Sequence, residues 1–275
     1  MYSKSKAGLL MMILFTFSMS GCLSDRAIEA IESNDPCSTD IQVRESDGTL
    51  KILTYDIAGF SDELIAQFVN QTGTEVEFIR TDDAGGILDQ MMLTKAAPQA
   101  DLMIGLDNTY LPTAIQNCLL MANNVSDESF TQSSLEFYQG PLAVPFDEGD
   151  VCLNYDEDAL TADNMSVPTS LWNLTEPEWN GKITFPSPMT SSPGRAFLAA
   201  TVDYFGHEPG NQSGDMASWW SAMAQNGAIF TTGWSESYVT YYTGGYGEYM
   251  EGYIGGAYLT VSYCHSPGVE AYYAE

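Results

Sequence analysis

Leu50-Lys51-Ile52-Leu53-Thr54-Tyr55, Thr74-Glu75-Val76-Glu77-Phe78-Ile79 and Asp101-Leu102-Met103-Ile104-Gly105 are the three runs on which the reading of the fold turns. Each is short and apolar or alternating, as strands are. Between the first two, Ser61 to Asn70 carries Leu64, Ile65, Phe68 and Val69 at the spacing of one helix face. Between the second and third, Gly85-Gly86 opens another helix that runs through Met92. Strand, helix, strand, helix, strand at this spacing predicts a parallel sheet covered by helices. Ligands of such sheets bind beyond the carboxyl ends of the strands. The turn residues there are Tyr55-Asp56, Asp82-Asp83 and Leu106-Asp107-Asn108.

Outward from this unit, residues 49–143 read as a first α/β lobe and residues 144–262 as a second, with 263–275 the start of a return segment. The second lobe opens at Pro141-Leu142-Ala143-Val144-Pro145-Phe146 and continues through an extended Cys152-Leu153-Asn154-Tyr155. Further on come a strand at Lys182 to Phe185, a turn from Pro186 to Gly194, a helix from Arg195 to Tyr204 and another around Met216 to Gln225. The fold class is therefore α/β: two lobes, each a mostly parallel sheet flanked by helices, joined by extended hinge segments. A cleft between lobes that can close suits capture and release.

At the other end, Lys4 and Lys6 precede an apolar run from Leu9 to Met19 that ends at Ser20-Gly21-Cys22. The run is too short to span a bilayer stably and reads as an export signal over residues 1–22. Small residues before a cysteine are the lipoprotein pattern, with Cys22 lipidated; an ordinary cleaved signal is the alternative, and both export the chain. Residues 23–48 are polar and acidic and read as a tether.

The chain carries 37 Asp plus Glu against 9 Lys plus Arg, a formal net charge of −28. That excludes nucleic acid as a partner, which needs a basic surface. It suits a salty habitat where repulsion is screened, and the field attracts cationic solutes. After Cys22 the cysteines are Cys37, Cys118, Cys152 and Cys264; four in an exported chain favour two disulfides and allow three connectivities. With only His207 and His265 and no Cys-x-x-Cys pair, no zinc or other metal site is expected. Sequons stand at Asn70, Asn124, Asn164, Asn173 and Asn211.

Two segments point to binding chemistry. Thr232-Gly233-Trp234-Ser235-Glu236-Ser237-Tyr238, followed by Val261-Ser262-Tyr263-Cys264-His265-Ser266-Pro267, offers ring faces at turns and strand ends. Such faces hold flat or cationic ligands by stacking and cation–π attraction, and they also serve simply as core. Ser187-Pro188-Met189-Thr190-Ser191-Ser192-Pro193-Gly194 precedes a helix. Its hydroxyls and N–H groups suit an anion such as phosphate, and equally suit plain N-capping by Ser192 with Pro193 at the first helical position.

These segments, with Leu53-Thr54-Tyr55-Asp56, Asp82-Asp83, Ala100 to Asn108 and Val144 to Gly149, resemble in order the periplasmic thiamine-binding proteins of ABC importers, within the two-lobed solute-binding proteins. The resemblance runs from about residue 50 to the end. It implies a periplasmic-binding-protein-like fold and a thiamine site in the cleft, also accepting phosphorylated vitamers, with no cofactor. Carried over position by position, Asp83 would bond the aminopyrimidine, Trp234 and Tyr263 would stack on the rings, and Tyr55 would line the first lobe. Tyr238 belongs to the same aromatic segment, and Ser192 and Gly194 would meet a phosphate. The implied partners are a small cationic ligand, the membrane permease of an ABC importer and, through the lipid anchor, the outer membrane surface; the protein would act as a monomer outside the cytoplasm. The family's chain continues past this point, so the sequence reads as partial, and Asp147-Glu148-Gly149-Asp150 stands where the family tends to have aromatic residues.

Cys152 and Cys264 both fall on extended segments near the lobe junction and are expected to pair, leaving Cys37 with Cys118. Two rival functions are weighed. Ferric iron would use phenolates at Tyr241-Tyr242 or Tyr272-Tyr273. A secreted hydrolase would need a carboxylate pair such as Asp82 and Asp83, but neighbouring residues rarely face one site, and no Gly-x-Ser-x-Gly, His-Glu-x-x-His or Walker pattern occurs.

Overall fold

The computed structural model of the protein describes residues 37, 42–55, 60–126, 128, 130–136, 140–206 and 215–273. The export signal with Cys22, most of the tether, Asp56, His207 and Asn211 lie outside the described residues, as do the side chains of Tyr272 and Tyr273.

The first sheet has the order β2-β1-β3 and is parallel throughout, from β1 (Thr49–Tyr55), β2 (Glu75–Thr81) and β3 (Leu102–Met103). Between β1 and β2 runs α1 (Asp62–Thr72), started by Ser61, whose hydroxyl accepts from the Leu64 N–H, and ended by Gly73 in the left-handed region (φ 71°). After β2 comes α2 (Ala84–Leu93). The third strand is shorter than its apolar run: Asp101 and Ile104 still donate to Lys51 and Leu53 carbonyls, but Gly105 turns the chain at φ 107°. A Cβ at Gly105 would lie 2.4 Å from the Tyr55 ring, so only glycine lets the chain pass that side chain. The core of this lobe joins Ala84 and Leu88 of α2 to Tyr110, Leu111, Ala114 and Leu120, with α3 (Leu111–Gln116) supplying two of them.

The second sheet has the order β4-β7-β5-β6, from β4 (Val151–Tyr155), β5 (Ile183–Pro186), β6 (Ile229–Thr231) and β7 (Leu259–Tyr263). Its strands are parallel except β4, which runs antiparallel to β7 with Cys152 opposite Ser262. Against it pack α6 (Ser192–Phe205) and α7 (Met216–Gln225), numbered after α4 (Gln132–Glu136) and α5 (Glu157–Ala162). The helix expected from Arg195 starts three residues earlier, so Ser192 to Gly194 form its first turn rather than the end of a loop. The cap is Ser191, not Ser192: Ser191 is extended (φ −96°, ψ 126°) and its hydroxyl accepts from the Gly194 N–H.

The core of the second lobe is aromatic. Trp179, Phe185, Phe197, Phe205 and Trp219 are buried together with Ile183, Leu259 and Val261. Trp219 is fully buried, stacks on Phe205 at 5.5 Å and donates its indole N–H to the Leu171 carbonyl at 2.8 Å. Trp219→Ala removes the ring and that bond together. It should lower stability by about 3–5 kcal/mol, read as a fall in the urea midpoint, whereas Phe230→Ala, at a residue 54% exposed, should cost far less.

Candidate ligand-binding cleft

Tyr55 closes β1, Asp83 precedes α2, and Ser192, Trp234, Tyr238 and Tyr263 come from the second lobe; all six line one cleft of ≈ 1540 Å³. Gly194 does not line it. A Cβ on Gly194 would lie 2.4 Å from the Pro186 carbonyl oxygen, so this glycine serves the close approach of α6 to β5.

The lobes meet at the start of α2. The Trp234 N–H donates to Asp83 Oδ2 at 3.0 Å, and the Gly85 N–H donates to the Thr190 carbonyl at 2.8 Å. Tyr110 donates its hydroxyl to the Met189 carbonyl at 3.2 Å, while the Arg195 guanidinium lies 4.4 Å over the Tyr110 ring. Gly233 is required here, because a Cβ would sit 2.4 Å from Asp83 Oδ2.

The Gly-Trp-Ser-Glu-Ser segment builds the wall of the second lobe. Glu236 accepts from both the backbone N–H and the hydroxyl of Thr232, each at 2.7 Å, and these bonds hold its carboxyl below the usual range. Ser237 is fully buried, bonded to Thr184 of β5 and Thr260 of β7, each at 3.0 Å. Trp234 donates its indole N–H to the Ser262 hydroxyl at 2.8 Å and stacks on Tyr238 at 4.6 Å. Residues Glu236–Tyr241 form a π-helical turn, a widened geometry frequent at functional sites that the spacing of apolar residues does not announce.

Tyr263 ends β7 and stacks on His265 at 5.4 Å. Burial pushes its phenol well up; a Ser192 hydrogen bond opposes the shift, and Tyr55, Asp107 and Asp147 add to it. Burial also raises Tyr55, with Asp147 contributing, and raises Tyr238 and Tyr242. The acidic segment Asp147 to Asp150 also lines the cleft. It is pinned to the end of β7 by the Cys264 N–H, which donates to the Asp150 carbonyl at 2.8 Å, and by the expected Cys152–Cys264 disulfide, with 4.9 Å between the Cα atoms. Cys37 and Cys118 are each disulfide-bonded as well. Sequence reading noted this acidic segment without giving it a role, because its placement follows from the antiparallel β4–β7 pairing.

Of the tyrosine pairs considered for iron, the side chains of Tyr272 and Tyr273 lie outside the described residues. Tyr242 is buried against Tyr238 at 5.2 Å, and neither Tyr241 nor Tyr242 lines the cleft. Among the described residues there is no group of three or more His, Cys, Asp and Glu side chains able to hold a metal. Asp82 is exposed while Asp83 is half-buried against the other lobe, so the two carboxylates do not act as a pair. Among the described residues no helix is long and apolar enough to cross a membrane.

Two α/β lobes bounding a ring-walled cleft are the architecture of the two-lobed periplasmic-binding-protein fold. Residues 97–240, just over half of the chain, match the family described as bacterial extracellular solute-binding protein, and the chain belongs to that family. A thiamine-binding periplasmic protein of Escherichia coli (strain K12) is 26% identical over 164 residues, 60% of this chain and 46% of that protein. One from Brucella suis biovar 1 (strain 1330) is 28% identical over 194 residues, 69% of this chain and 54% of that protein. The chain thus spans about half the length of these relatives. A solved periplasmic thiamin binding protein superposes with a TM-score of 0.57 at 25% identity, covering 82% of this chain and 66% of that one.

The buried phenols make a pH prediction. Tyr238, Tyr242 and Tyr263 are raised above the unfolded value of 10.0, so the folded state holds their protons more tightly. Their contribution is fully present below about pH 10 and is lost as pH rises through the folded values. Urea midpoints should fall from about pH 10 upward, with tyrosinate absorbance of the folded protein lagging that of the unfolded chain.

Proposed function

We propose that this protein captures thiamine, a flat organic cation, outside the cytoplasm and passes it to the permease of an ABC importer, acting as a binding protein and not as an enzyme. The observation that carries the reading is the convergence of the Trp234 and Tyr263 rings with Asp83 and Tyr55 on one cleft. A thiazolium ring is planar and positive, which suits ring faces and nearby carboxylates. The names of the relatives support the same choice. Asp83 would serve twice, as a carboxylate beside the ligand and as the acceptor of the Trp234 N–H, so its loss would loosen the wall as well as remove charge.

Export, anchoring through a lipid on Cys22 and a monomeric state complete the proposal. Of the two tyrosine pairs considered for ferric iron, Tyr241 and Tyr242 lie off the cleft. Hydrolysis is disfavoured because Asp82 and Asp83 do not converge.

Calorimetric titration of the complete protein should give thiamine binding at about micromolar or tighter, and no binding of ferric citrate. Trp234→Ala should weaken thiamine binding by roughly tenfold or more, in line with a ring contact of up to about 2 kcal/mol. Asp83→Ala should weaken it comparably. Parent-like affinity in both variants would remove the assigned site.

A further inference from the structure

We infer that Glu270, on the helix after β7, is a further ligand-contacting residue of the cleft, a carboxylate that acts with the Tyr238 hydroxyl to make the site prefer a flat cation over a neutral guest of the same shape. This deepens the preceding reading and rests on it.

The helix is α8 (Ser266–Tyr273), and its start is tied to the ring wall. The Ser266 hydroxyl is bonded to the Ser262 hydroxyl at 2.8 Å, and the same Ser262 oxygen takes the Trp234 indole N–H. Ser266, Val269 and Glu270 stand three and four residues apart, on one face of α8, and all three line the cleft. Glu270 therefore reaches the cleft one turn beyond a residue that braces Trp234.

The group it meets there is a buried hydroxyl. Tyr238 is 1% exposed, and among the described residues its hydroxyl has no hydrogen bond of normal length and angle. Such a group is penalised wherever water cannot replace the missing partner. The ring has no freedom to seek one: it stacks on Trp234 at 4.6 Å, and a Cβ on Gly245 would lie 2.7 Å from its Cε1. The Glu270 carboxyl faces the hydroxyl closely enough for each to act on the other. Burial pushes the Tyr238 phenol well up and Glu270 adds to the shift; burial pushes the Glu270 carboxyl up, opposed by the Tyr238 hydroxyl and the Tyr246 N–H.

Among the described residues Glu270 makes no ion pair, and the donors that act on it are those two neutral groups. The cations nearest the cleft are engaged on the first lobe or away from α8. Arg80 donates to the Tyr55 carbonyl at 3.1 Å and lies 5.1 Å over the Phe78 ring. Arg44 is paired with Asp101 at 2.8 Å, Lys95 lies beyond the far end of α2, and Arg195 lies over Tyr110. A half-buried carboxylate without a counter-charge beside ring faces is unfavourable. A planar cation laid on those faces relieves it, and a neutral ring does not.

The test is a paired calorimetric titration of the complete protein with thiamine and with its neutral isostere, in which a thiophene ring replaces the thiazolium. The parent should prefer the cation by about tenfold or more, and Glu270→Gln should narrow that ratio by about fivefold while leaving affinity for the neutral guest within about twofold. Glu270→Asp, which keeps the charge, should retain most of the preference. The readout is a ratio of two affinities for one protein, so a partly folded variant still reports it, both affinities falling by the same factor. A ratio unchanged in Glu270→Gln overturns the inference and leaves the proposed function standing, whether the two affinities stay at parent values or fall together. Equal affinity of the parent for the two guests overturns it as well. A parent that does not bind thiamine removes the proposed function and this inference together.

Discussion

The hydrogen bond from the Trp234 N–H to Asp83 Oδ2 joins the two lobes at the point where each presents its binding surface. Asp83 stands at the carboxyl end of the first sheet, immediately before α2, and Trp234 follows β6 of the second. Gly233 is the residue that makes the approach possible, and the Gly85–Thr190 bond repeats the crossing one turn away. With this bond in place, Tyr55 on one side and Tyr263 on the other bound the same hollow.

The second lobe supports its half of this contact by burying hydroxyls in pairs rather than by apolar packing alone. Ser237 is bonded to Thr184 and Thr260, and Ser262 takes the Trp234 indole N–H. Buried polar groups satisfied this way fix one geometry, because any shift leaves a donor or acceptor without a partner in a medium that penalises it. The ring of Trp234 is thus held from the strand behind it, and the backbone of the same residue is held by the opposite lobe.

The first lobe was largely legible in the sequence, since its alternation of strand and helix extends over runs long enough to show a period. The helix around Met216 to Gln225 was legible for the same reason. Other parts were hidden. The start of α6 was missed because Ser191 and Ser192 are chemically equivalent caps, and only the backbone conformation distinguishes them. The packing role of Gly194 depends on how closely a helix crosses β5, which no local pattern encodes. The π-helical turn leaves no apolar signature. Six of the seven residues proposed as ligand contacts line one cleft, and four of them, Tyr55, Asp83, Trp234 and Tyr263, stand at or just beyond strand ends, which converge in this architecture.

The widened turn at Glu236–Tyr241 has a geometric effect on the rings around it. Trp234, Tyr238, Tyr242 and Tyr246 recur every four residues; Tyr238 lies within the turn, Tyr242 is the extended residue that ends it, and Tyr246 starts a separate 3₁₀ turn. The i→i+5 bond from the Tyr242 N–H to the Ser237 carbonyl closes the turn, and the rings of Trp234, Tyr238 and Tyr242 stand in successive contact at 4.6 Å and 5.2 Å. The aromatic surface offered to a guest is therefore the end face of a braced pile, stiff along its length, so accommodation of different guests falls to movement of the lobes.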